Sequence, residues 1–110
     1  KLPPLALKFE RGREYLNFVA KEVEKGKMDP ARSSSAELLA AFKTYALSLE
    51  KFTDAEWAEI EAYTRCALER EAMTMLDSQA AGYRAMIPVD TQLQKAQAVL
   101  QEKASQKKAA

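Results

Sequence analysis

Residues 52–63 read FTDAEWAEIEAY, with four acids in eight positions: Asp54, Glu56, Glu59 and Glu61. A working carboxylate cluster would point to an enzyme or a metal site, whereas the acidic start of a helix would point to a structural role. The spacing favours the helix. Thr53 and Glu56 stand three apart, as in a capping box, where each side chain bonds the other residue's backbone N–H. Acids in a first turn also complement the positive end of the helix dipole, by about 0.3–1 kcal/mol per group. Helical two-metal sites typically pair glutamate with histidine three residues on, and the chain has no histidine. The stretch therefore predicts a helix from Asp54, with no metal, no cofactor and no catalysis.

The stripe of that helix continues through Trp57, Ile60, Thr64, Ala67 or Leu68, Ala72, Met75 or Leu76, then Ala80 and Tyr83. At about 1.5 Å per residue, a helix over 54–82 would be some 40 Å long. The stripe drifts around the axis, which suits a helix that meets different neighbours along its length. Gly82 is a candidate C-cap, and Ile87-Pro88 forces a break.

Upstream, Leu38, Phe42, Tyr45, Leu49 and Phe52 recur at intervals of 4, 3, 4 and 3, which predicts a helix over about 35–51. Ser34 and Glu37 have capping-box spacing. MDPARSSS (28–35) is a turn and linker. Before it, Leu5, Phe9, Gly12, Leu16, Val19 and Val23 keep the same rhythm over about 5–26. Gly12 on that stripe offers either a close helix approach or a weak point. Tyr15 and Phe18 lie beside the stripe, so this helix buries more than one side. Downstream, Thr91 and Gln94 suggest a looser helix over about 91–105.

The predicted fold is an all-α, mostly antiparallel bundle of three to four helices, in a single domain over 1–110. An extended N-terminus and a frayed C-terminal tail flank it. Few glycines and many Ala, Glu, Lys and Gln agree with helix. Leu, Ile, Val and Phe together number 22, near the lower limit for a self-sufficient core. Thin packing of this kind leaves room for a partner to supply stability.

Net charge is +1, so no overall field recruits nucleic acid or a membrane. The charge is segregated: residues 52–79 carry seven acids and two arginines, between basic ends. Antiparallel helices could neutralise this internally. The basic ends also define an alternative reading, a nucleic-acid-binding regulator. Glu10, Glu14, Glu22 and Glu24 interleave with the first basic set, with local pairs such as Glu10–Arg13 and Glu14–Arg11. No compact basic recognition helix follows a short turn, which disfavours nucleic acid.

Cys66 lies between Arg65 and Arg70 but has no histidine base, so a small apolar residue in a helix is the expected role. Met73 and Met75 point about 200° apart on a helix and cannot share one ion; Met75 is expected inward and Met73 near an edge. Phe42, Tyr45, Phe52 and Trp57 should form a core corner. No apolar run is long enough to span a bilayer. The chain reads as soluble, either cytoplasmic or exported after processing, as an opening Lys1 without Met allows. The general look is that of many small bacterial proteins.

The function expected is that of a small non-enzymatic helical interaction protein: an adaptor, a secretion or assembly accessory, or an inhibitor. Another protein, or a second copy in a homodimer, would meet its apolar helix faces. Tyr15, Phe18 and Met73, off the central stripes, are the candidate partner-binding residues.

Overall fold

The computed structural model describes residues 2–91, 94 and 95. They form an all-α bundle with no strand among the described residues. The helices are α1 (Pro4–Arg11), α2 (Glu14–Glu24), α3 (Ala36–Leu49), α4 (Asp54–Leu76) and α5 (Gln79–Met86), with a 3₁₀ turn at Arg32–Ser34 before α3. The predicted helix over 91–105 and the frayed tail fall largely outside the described residues.

The acidic stretch starts α4 as its spacing requires. Thr53 Oγ1 accepts from the Glu56 N–H at 3.1 Å, and Glu56 Oε1 accepts from the Thr53 N–H at 2.9 Å. Glu61 accepts from the Trp57 indole N–H at 2.9 Å. Trp57, Ile60, Thr64, Ala67, Leu68 and Ala72 are buried, as the drifting stripe implies.

Three boundaries differ from expectation. Residues 5–26 are not one helix. The chain breaks at Gly12-Arg13, and Arg13 takes a left-handed backbone at φ 55° and ψ 36°. Gly12, at φ −82°, caps the end of α1, so it marks the weak point of the stripe rather than a close approach, although the left-handed residue is Arg13. With the helix broken, Glu10 and Glu14 turn to distant partners instead of to Arg13 and Arg11.

The long helix stops at Leu76 instead of residue 82. Ser78 caps a new helix by accepting from the Ala81 N–H at 3.1 Å. Gly82 is therefore no C-cap. It sits inside α5 where α5 folds back on α4, and an added Cβ would stand 2.0 Å from Thr74 Oγ1 and 3.0 Å from the Arg70 carbonyl. The cap of α3 is Ser35 rather than Ser34, accepting from the Leu38 N–H.

The core is organised around Phe42. Its ring meets those of Phe9, Tyr15, Phe18, Tyr45 and Trp57 at centroid distances of 5.1 to 6.4 Å. Aromatic side chains bury roughly 150–250 Å² each and gain further from edge-to-face contact. This cluster is how a chain with few aliphatic residues closes a core. The linker also contributes: Arg32 bonds Glu22 Oε1 at 2.9 Å and the Lys27 carbonyl at 3.0 Å, and Arg65 reaches the Ser34 carbonyl at 2.6 Å.

Candidate functional site

Two of the three candidate partner residues belong to the core. Tyr15 is fully buried and Phe18 only 8 % exposed. Phe42 and Tyr45 of α3 cover Phe18, while α1, α3 and α4 together cover Tyr15. Phe9 of α1 lies edge-on to Tyr15 at 6.0 Å, and the Tyr15 hydroxyl shares a 3.0 Å hydrogen bond with Thr64. Neither ring is available to a partner in this conformation. Met73 is half-buried and borders a shallow depression with Pro30, Ser33, Glu69 and Arg84. It does not join the other two. Met75 is exposed rather than inward.

The most elaborate polar constellation centres on Arg70, in the third quarter of α4. Its guanidinium grips Glu10 through two parallel bonds of 2.9 Å. It also donates to Glu71 at 2.5 Å. Tyr63 donates to the same Glu10 carboxylate. Glu10 and Tyr63 are 53 positions apart, and Glu10 and Arg70 are 60 apart. No local signal in the sequence announces their meeting.

Burial opposes the charge on Glu10, yet the bonds from Arg70 and Tyr63 and the charge of Arg70 outweigh it. The carboxyl is held below its ordinary pKa. Burial, together with the neighbouring Glu10 carboxylate, pushes the Tyr63 phenol up to about 12. Arg70 pairs with two carboxylates, and its donors are largely taken. This arrangement clamps α1 to α4 rather than receiving an anion.

Three adjoining depressions share Arg70. The largest, about 430 Å³, is walled mainly by Leu2, Tyr63, Tyr83, Met86 and Val89. A second runs between Thr74 of α4 and Gly82 and Tyr83 of α5. The third lies between Glu10, Arg13 and Leu16. Tyr83 borders two of them and is 65 % exposed.

The apolar stripes outrun their cover. The stripe of α3 is buried at Leu38 and Phe42, but Leu49 is 51 % exposed. The stripe of α4 is buried at Leu68 and Ala72, but Leu76, one turn on, is exposed. Met75 is exposed beside it, one turn beyond Glu71, and Glu71 itself lines the Tyr83 groove.

Charge segregation persists on the surface. The bond between the basic first segment and the acidic α4 uses the minority charge of each, Glu10 and Arg70. Lys8 pairs with Glu50 at 3.0 Å and Lys25 approaches Glu22 at 3.8 Å, while Lys21 lies over the Tyr45 ring. Cys66 is half-buried. Burial and the nearby Glu69 raise its pKa against the pull of Arg65, which keeps the thiol in its less reactive form. No helix of the described residues is long and apolar enough to cross a membrane.

Comparison with protein-family models, with curated proteins and with solved structures finds no match to this chain.

Proposed function

We propose that this chain is a non-enzymatic helical protein-binding module, and that it docks through the end of the bundle where α4 meets α5. One observation carries the reading: Met75 and Leu76 are large apolar side chains left exposed at the end of α4, where its stripe runs past its cover, and Tyr83 of the following α5 is exposed as well. Exposed apolar side chains beside a groove are what a partner desolvates first, and aromatic and methionine side chains are enriched at such centres. Thr74 and Gln79, exposed along the groove beside Tyr83, offer polar registration around that centre.

The test is site-specific photocrosslinking in an extract of the native cell. A photoreactive residue at Tyr83 should give a discrete adduct, and one at Glu59, exposed on the solvated part of α4, should give none. A Met75→Ser/Leu76→Ser/Tyr83→Ser variant with unchanged helix content should lose protection of this end by the partner. Equal, diffuse labelling at Tyr83 and Glu59 would sink the proposal.

A further inference from the structure

We propose that this chain also dimerises by exchanging α1. Arg13 leaves its left-handed conformation, α1 and α2 join into one straight helix, and each copy's α1 docks in the slot of a second copy. The inference does not rest on the α4–α5 surface, because the exchanged contacts are those that already hold α1 to the bundle.

Four observations point to a hinge between residues 11 and 14. First, the apolar positions Leu5, Phe9, Gly12, Leu16, Val19 and Val23 keep heptad spacing straight across the break. That pattern is written for a continuous helix. Second, the break is held by one residue. Gly12 at φ −82° and ψ −1° is already close to helical, whereas Arg13 at φ 55° is the non-glycine residue with positive φ among those described. Returning Arg13 to the right-handed region relieves an unfavourable backbone and merges the two helices.

Third, the start of α2 lacks a side-chain cap, whereas Ser35, Thr53 and Ser78 cap α3, α4 and α5. In a continuous helix the uncapped amides of residues 14–16 would find the carbonyls of residues 10–12. The sequence thus supplies a capping side chain at α3, α4 and α5; α1 also has none but opens on Pro3-Pro4, where a helix start is set by proline, whereas α2 has neither device. Fourth, the contacts of α1 are made by side chains on its own side of the hinge: Leu5, Ala6 and Phe9 in the core, Lys8 to Glu50, and Glu10 to Arg70 and Tyr63. A second copy presents the same slot. Exchange keeps every one of these contacts and changes only the hinge, the condition under which swapping is cheap.

Exchange makes a prediction that no surface dimer shares. A Glu10→Arg chain and an Arg70→Glu chain each break the clamp. Mixed, they restore it twice in an exchanged heterodimer, since one interface pairs the two altered residues and the other pairs the two native ones. The experiment is to unfold the two variants together, refold them at high concentration, and measure mass by size exclusion with light scattering, one chain being isotopically labelled. A one-to-one heterodimer, several-fold more abundant than either homodimer, is expected. In the otherwise unaltered chain, Gly12→Ala should raise the dimer fraction several-fold by favouring helix across the hinge, and Arg13→Gly should lower it by easing the bent form. A Met75→Ser/Leu76→Ser/Tyr83→Ser chain should still exchange, so loss of the docking surface and loss of exchange are separable. A dimer indifferent to both hinge substitutions, or no heterodimer together with a monomeric Gly12→Ala chain, would overturn the proposal.

Discussion

Arg13 occupies the left-handed backbone while the glycine beside it does not. A left-handed conformation costs a non-glycine residue about 1–2 kcal/mol, and glycine's extra unfolded-state entropy returns part of any gain from replacing it. Arg13→Gly should therefore stabilise the bent monomer by roughly 0.5–1 kcal/mol in urea unfolding. An unchanged midpoint would show that the backbone there is not strained. At Arg70 the expectation runs the other way. Arg70→Met leaves Glu10 a half-buried carboxylate facing Glu71, with one tyrosine donor, and should cost roughly 2–3 kcal/mol. The sign of its pH dependence follows from the Glu10 carboxyl. A depressed folded pKa contributes stability that is complete above the ordinary value of 4.5 and is lost as pH falls below it. The fall in stability below pH 4.5 should accordingly be shallower in Arg70→Met, measured as urea midpoints at stepped pH; an identical slope would mean the clamp does not set that titration. Neither residue was legible as special in the sequence. Arg70 reads as one more charge on a helix, and its partners come from another segment.

Helices are better forecast than residues, because their ends are set by nearby atoms. The capping box at Thr53 is a contact between neighbours in sequence, so spacing alone finds it. Thr53→Ala should cost about 1 kcal/mol and fray the first turn of α4, seen as faster amide exchange at residues 55–57. Gly82 illustrates the limit of local reading. A glycine near a helix end reads as a cap, whereas here it allows α5 to lie against the α4 backbone. Gly82→Ala should push α5 off α4 and destabilise by about 1–3 kcal/mol, as overpacking does. Thr74→Ala in the same chain should recover part of that by removing the nearest atom, Oγ1. No recovery in the double variant would place the conflict at the Arg70 carbonyl instead. The break in the first helix is a tertiary override of a local preference: bending brings Phe9 to the aromatic cluster and Glu10 to Arg70.

At the scale of the molecule, an aromatic cluster and the Arg70 clamp, with further long-range bonds such as Tyr15 to Thr64 and Arg65 to Ser34, hold the described elements together. Tyr45 and Tyr63 have phenols raised to about 12, chiefly by burial with a nearby glutamate adding to it, and burial raises Tyr15 further still. A raised folded pKa gives stability that is present below the unfolded value of 10 and is lost as pH climbs from there toward the folded one. Stability should fall between pH 10 and 12, with phenolate absorbance rising in step with loss of helix. Phenolate forming well before helix is lost would mean these rings are more open than their packing implies. The same core explains why Tyr15 and Phe18 are buried. Lying off a stripe means only that a second face is covered, and here α3 covers Phe18 while α1, α3 and α4 close over Tyr15.

The sequence by itself determined that the described chain is helical, where α4 begins, and which face of α4 is buried. Caps and periodicity act over one or two turns, so those features need no knowledge of the rest of the molecule. The tertiary structure decided where the first helix bends, that Glu10 is the partner of Arg70 and Tyr63, and that Leu49, Met75, Leu76 and Tyr83 stay in water. Each of these depends on what a helix face meets after the chain has folded back over tens of residues. Apolar patterning says that a face seeks cover, but only packing decides whether α1 of the same chain, another helix or nothing in the chain supplies it.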